Sequence, residues 1–267
     1  MKKTKKKLIQ KLVDPGIRYL GKVEGAALGS TVGLFIAGPL GAVAGAVGGT
    51  AITDLFNNTA EELEKKYISK RESERIGVAA IYAINRIIAN FDKNLPLRSD
   101  NFFVQDPVID RSEADEILEG TLIAAKNEHE EKKLKYYGSL VANIAFHPEV
   151  DLNQANFLLK VAERLSYNQI CILVLFSRKS RFNYPLSQQQ PIHLSDLKKV
   201  VLFQEIRELK KLELLKSTSE SLVGTENVRP SMLVLDMLGE KLYEMMNLEE
   251  LAVPDIEKMA DLLSDPL

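Results

Sequence analysis

The chain has 267 residues, of which 27% are charged and 45% apolar, and a net charge of -2. That length suits one large or two modest domains, and the near-neutral balance argues against a general nucleic-acid coat. A single cysteine, Cys171, excludes an intrachain disulfide and fits a reducing compartment.

Residues 1–22 carry eight Lys and Arg against Asp14 alone, a local net of +7. Residues 25–53 follow without a charged side chain, 29 positions in all. Glycines recur at four-residue spacing through Gly21, Gly25, Gly29 and Gly33, pause at Gly38-Pro39, and resume at Gly41, Gly45 and Gly49. Residues four apart share a helix face, so each run predicts a side-chain-free groove that a second helix can approach closely. Glycine costs about 1 kcal/mol relative to alanine in a helix, whereas small-xxx-small faces are a main source of association in lipid. One helix over this stretch would be about 43 Å long, against a hydrocarbon core of about 30 Å. The break at Gly38-Pro39 therefore predicts two helices, 17–37 and 40–56. The lysines assign both ends to the cytoplasm. The expectation is a glycine-zipper transmembrane hairpin over 1–58, with the seven zipper glycines at a membrane and oligomer interface. Ser30, Thr31, Thr50 and Thr53 would be its pore-facing polar groups. A glycine-packed hairpin inside a soluble oligomeric scaffold is the alternative. A phosphate-cradling loop is excluded, because no strand, glycine loop and Lys-Ser/Thr arrangement exists.

A helical region is expected over 59–166. Thr59 and Glu62 have capping-box spacing, and apolar residues recur at three- and four-residue intervals over 60–88. Residues 91–110 read as a loop. One long amphipathic helix is predicted over 113–146, with Ile117, Leu118, Leu122, Ala125, Leu134, Tyr137, Val141 and Ile144 on its apolar stripe. Its charged middle, 126–135, reads as a solvated face with i,i+4 pairs or as a contact between protomers.

Over 167–248 the predicted order is helices at 168–179, 195–203 and 205–215, a polar stretch at 216–230, a strand at 231–236 and a helix at 238–246. That is the order of a winged-helix module, and Leu214-Leu215 followed by Met232–Asp236 and Leu238-Gly239-Glu240-Lys241-Leu242 resembles the end of many winged-helix domains. The third helix of such domains often enters the major groove. Lys198, Lys199, Arg207, Lys210 and Lys211 are then the candidate nucleic-acid contacts. Acidic residues leave the segment a net of only about +2 and no stacking aromatics accompany it, so a protein contact is the competing reading. Residues 249–267 form an acidic tail with a short amphipathic helix.

No catalytic or metal set is legible. His129, His147 and His193 lack a second His or Cys at ligand spacing, and no basic residue flanks Cys171 to activate it. A non-enzyme without cofactor, metal or small-molecule substrate is expected. The domain order, the Gly21–Gly49 spacing and the 214–245 pattern together resemble membrane-acting effectors of bacterial abortive infection and anti-phage defence, either the Hailong-type channel effector or the Abi-alpha group. That resemblance implies a homo-oligomeric ion channel or pore in the bacterial inner membrane, gated by its cytoplasmic bulk. A partner defence protein would supply an oligonucleotide ligand. A membrane-tethered winged-helix DNA-binding regulator is the rival reading.

Overall fold

The computed structural model describes residues 2–23, 45–66, 68–182, 186, 196–218 and 228–264. It divides into two units, Met1–Arg164 and Leu165–Leu267.

In the first unit, Ile9, Leu12, Val13, Gly16 and Leu20 recur at helical spacing and are buried. They form the inner stripe of α1, Lys2–Val23. Then follow α2 (Gly45–Glu64), α3 (Lys70–Asp92), α4 (Glu113–Asn127), α5 (Leu134–Ile144) and α6 (Leu152–Arg164). Helix α3 is central and packs on α1, α4 and α5. Ser69 and Glu72 close a capping box at its start. All six residues from Ile76 to Ile81 are buried, so the helix is covered on every side.

Glycine sets how close its neighbours come. A Cβ on Gly16 would lie 2.3 Å from the carbonyl carbon of Gly77, and one on Gly77 would lie 2.6 Å from the Gly16 nitrogen. On the other flank, a Cβ on Gly138 of α5 would meet the Ala79 oxygen at 2.4 Å. Helices α1 and α5 thus contact α3 backbone to backbone.

The second unit is built on α7, Tyr167–Phe182. Ile170 to Phe176 are consecutive and all at most 2% exposed. Helix α8 (Leu197–Lys211), strands β1 (Leu215–Ser217) and β2 (Leu233–Leu235), α9 (Met237–Met245) and α10 (Val253–Ser264) complete it. The strands pair antiparallel with Leu215 opposite Leu235. Helices α8, α9 and α10 and strand β2 all pack on α7.

Four expectations are corrected. Among the described residues no helix is long and apolar enough to cross a membrane, which overturns the transmembrane hairpin and, with it, the channel, the pore and the inner-membrane location. The physical reason is visible in α2. It runs without interruption from Gly45 through Asp54 to Glu61, Glu62 and Glu64, and its apolar residues Ile52, Leu55 and Phe56 are 0%, 7% and 1% exposed within the first unit. The uncharged stretch therefore ends inside a folded core. The same continuity removes the proposed cap at Thr59, whose hydroxyl donates instead to the Leu55 carbonyl at 3.1 Å, within α2.

The winged-helix-like module is also overturned. Residues 197–211 form one continuous helix where two were expected, so there is no turn at Gln204 to set off a recognition helix. Only a two-stranded sheet is found among the described residues. Finally, the expected helix over 113–146 is two helices separated at Glu128.

Candidate functional site

The break between α4 and α5 gathers a buried ion pair, Glu128 and Lys133. Helix α4 starts with a Ser112–Asp115 capping box and ends at Glu128, whose backbone is extended at φ -72° and ψ 128°. The carboxylate of Glu128 turns inward. Its Oε2 lies 2.5 Å from Lys133 Nζ and accepts from the Tyr137 hydroxyl at 2.6 Å. Its Oε1 accepts from the Glu130 amide at 2.9 Å. Lys133 donates further to the Glu163 carbonyl at 3.3 Å. Glu128, Lys133 and Tyr137 are 7%, 2% and 1% exposed.

The electrostatics follow from that enclosure. Burial pushes the Glu128 carboxyl up, but hydrogen bonds from Lys133, Tyr137 and the Glu130 amide outweigh it and hold the group below the ordinary range. Burial, and then the hydrogen bond to Glu128, push the Tyr137 phenol far above its usual value. A second carboxylate, Glu131, gathers the neighbouring helices. It accepts from Tyr19 of α1 at 2.6 Å and from Arg71 and Arg75 of α3 at 2.6 and 3.2 Å. Its hydrogen bond to Tyr19, followed by burial, raises that phenol.

Ligand atoms of Glu128, His129 and Glu130 lie within 4.8 Å of one another. Glu128 Oε2 already takes Lys133 and Tyr137 and its Oε1 the Glu130 amide, so a cation at this triplet would compete with contacts already made. The chemistry of the donor set fits a structural lock better than a metal site.

A second feature lies at the mouth of a cleft of about 380 Å³, bounded by α2, the loop before α4 and the start of α4. The loop is tied to itself. The Asp106 amide donates to the Arg111 carbonyl at 3.0 Å and the Asp110 amide to the Asp106 carbonyl at 2.9 Å. The Asp106 carboxylate accepts from the amides of Val108 and Ile109. Asp110 takes the left-handed conformation, φ 51°, which Asp tolerates better than most residues. At the base Arg111 and Lys66 both reach Glu119, each at 2.5 Å. Burial raises the Glu119 carboxyl, but those two cations more than offset it. This scaffolding displays Val104, Val108 and Ile109, which are 60%, 89% and 67% exposed.

Of the predicted site residues, those among the described ones lie on α1, α2 and α8. Gly21 is exposed at the end of α1, with nothing within 4 Å of a built Cβ. Gly45 and Gly49 lie in the first turns of α2, where Thr53 donates to the Gly49 carbonyl at 2.7 Å and Thr50 is exposed. Gly25, Gly29, Ser30, Thr31, Gly33 and Gly41 lie outside the described residues, as does His193. On α8, Lys199 and Lys210 share one flank, Arg207 and Lys211 another, and Lys198 stands apart at the first turn. Two acidic residues of that helix are engaged, Glu205 by Ser166 and Glu208 by Gln169. Cys171 is buried at 1% exposure in α7, and His147 Nδ1 sits 2.7 Å from the Asn143 carbonyl at the end of α5.

The residues that matter at these two places were missed in the sequence. A signal for Lys133 existed. It lies four residues before Tyr137 and on the same stripe as Leu140 and Ile144, a position that faces the core whatever the side chain.

Compared with known protein families, curated proteins and solved structures, the chain matches none.

Proposed function

We propose that this chain is a helical scaffold that works by binding protein, in the first place further copies of itself. The observation that carries the reading is the loop 104–109. Three apolar side chains stand in solvent on a loop braced by four backbone-directed hydrogen bonds. Apolar groups held in this way lose little conformational entropy when they are covered, so contact there is favoured. The ionisable cluster at Glu128 supports the same reading, since its polar atoms bond one another and none is aimed into the cleft.

Sedimentation velocity of the full chain tests it. The native protein should sediment as an oligomer at micromolar concentration, and Val108→Asp/Ile109→Asp should fall to monomer with an unchanged far-ultraviolet circular dichroism spectrum. A native chain that is monomeric throughout, or a double variant that still assembles, would overturn the proposal.

A further inference from the structure

Local preference and fold conflict most sharply between α4 and α5. Residues 126–135 contain neither glycine nor proline and are mostly Lys and Glu, which are good helix formers. The apolar stripe changes side across them, since Ala125 and Leu134 lie nine positions, two and a half turns, apart. Backbone propensity alone therefore favours one helix over 113–146. Yet Glu128 has ψ 128° and Glu130 ψ 80°, both outside the helical region. Such a conflict marks a place where tertiary interactions choose the conformation.

The buried contacts made by Glu128 are specific to the bent form. In a straight helix Glu128 and Tyr137, nine positions apart, would point to opposite sides, about 13 Å apart along the axis. The Glu130 amide would turn to the Lys126 carbonyl and leave the carboxylate. Lys133 would lie about 140° round from Glu128. Buried ion pairs generally add little net stability, and their best-attested use is to select among conformations. The face of α5 that includes Leu134, Tyr137, Leu140 and Ile144 is at most 1% exposed, and Gly138 seats it on Ala79 and Ala83 of α3. Straightening would carry that face away from its own α3, and only an identical α3 offers the same seat. Between the closed and exchanged forms the packing is the same and the hinge alone differs.

We propose that Glu128, Lys133 and Tyr137 form a latch that selects the bent α4–α5 arrangement over one straight helix, and that releasing it lets α5 seat on α3 of a second copy of this chain. The proposal is independent of association through the 104–109 loop.

Spin labels at Glu113→Cys and Lys135→Cys, in a Cys171→Ala background, read the hinge by double electron–electron resonance in the full chain. The two positions are 22 residues apart, about 33 Å along a straight helix and closer in the bent form. The native junction should give the short distance alone. Glu128→Leu/Lys133→Met should add a major population near 33 Å. In the Val108→Asp/Ile109→Asp background, where loop association is removed, the same change should double the mass from monomer to dimer. Adding Glu130→Pro, which a straight helix excludes, should restore both the short distance and the monomer. A folded Glu128→Leu/Lys133→Met chain with the short distance alone would overturn the latch, and a long distance in a strictly monomeric chain would overturn the exchange. If that variant does not fold, Glu128→Gln keeps the shape without the charge. It should raise the long-distance population about tenfold, and no rise would overturn the proposal equally.

Discussion

The two units solve the same problem, how to cover one central helix, by different means. In the second, α7 is covered by side chains: seven consecutive residues from Ile170 to Phe176 are enclosed by α8, β2, α9 and α10. In the first, α3 is reached by backbone, through Gly16, Gly77 and Gly138, and the ends of the helices are joined by buried or half-buried charges at Glu128, Glu131 and Lys133. Side-chain packing tolerates volume-conserving change, whereas a backbone crossing leaves no room for a methyl group and a buried charge cannot lose its partner. The difference teaches that α3, reached by backbone on two flanks, tolerates less change of volume along its helix contacts than α7 does.

Four measurements sharpen that contrast. Lys133→Ala leaves the Glu128 carboxylate buried without its cation and should lower the unfolding free energy of the first unit by about 3–5 kcal/mol in urea titration. Gly77→Ala places a methyl group against the α1 backbone and should lower it by about 3 kcal/mol. In the second unit, Arg178 donates to the carbonyls of Leu248, Glu249 and Leu251. Arg178→Ala should lower stability by about 1–3 kcal/mol, with the first unit unmoved. Gly21→Ala, at an exposed helical position with open space around it, should raise stability by about 0.5–1 kcal/mol. If Gly77→Ala and Gly21→Ala behaved alike, the glycine crossing would not be the element that holds the first unit.

Titration gives the contrast a sign. Glu119 and Glu128 are held below the ordinary carboxyl value of 4.5. Their contribution is therefore present above that value and lost as pH falls through their folded values. Tyr137 is raised above 10.0, so its contribution is present below that pH and lost as pH rises beyond it. The first unit should show its plateau between those limits. Changing Glu128 to Gln should flatten the acid limb, as read by circular dichroism against pH.

Much of the helical pattern was readable from spacing. The stripes 117–125 and 134–144 each follow the 3.6-residue period, the run 170–176 is continuously apolar, and all three are buried. The errors have definite physical causes. The lysines before Gly25 drew attention to a membrane and hid the stripe Ile9, Leu12, Val13, Leu20, which is as regular as any in the chain. The four-residue glycine beat lies largely outside the described residues, and the glycines at close helix approaches among those described, Gly16, Gly77 and Gly138, belong to no repeat. Pairing between distant glycines cannot be read from spacing along one helix. The bend at Glu128 runs against the helix propensity of its Lys and Glu residues and shows in the sequence only as a half-turn shift of the apolar stripe between Ala125 and Leu134, whereas a buried Lys–Glu–Tyr cluster is decided by tertiary contact. The exposed loop was legible as a loop, from Pro107 and its Asn and Asp neighbours. Its rigidity rests on hydrogen bonds that only the fold reveals.

The scaffold reading is tested most directly by amide hydrogen exchange of the full chain over a range of protein concentration. Association through the braced loop predicts that amides at 104–110 become protected as concentration rises, while those of α3 stay as they were. Unchanged exchange in that loop, with the protein nonetheless assembling, would contradict it.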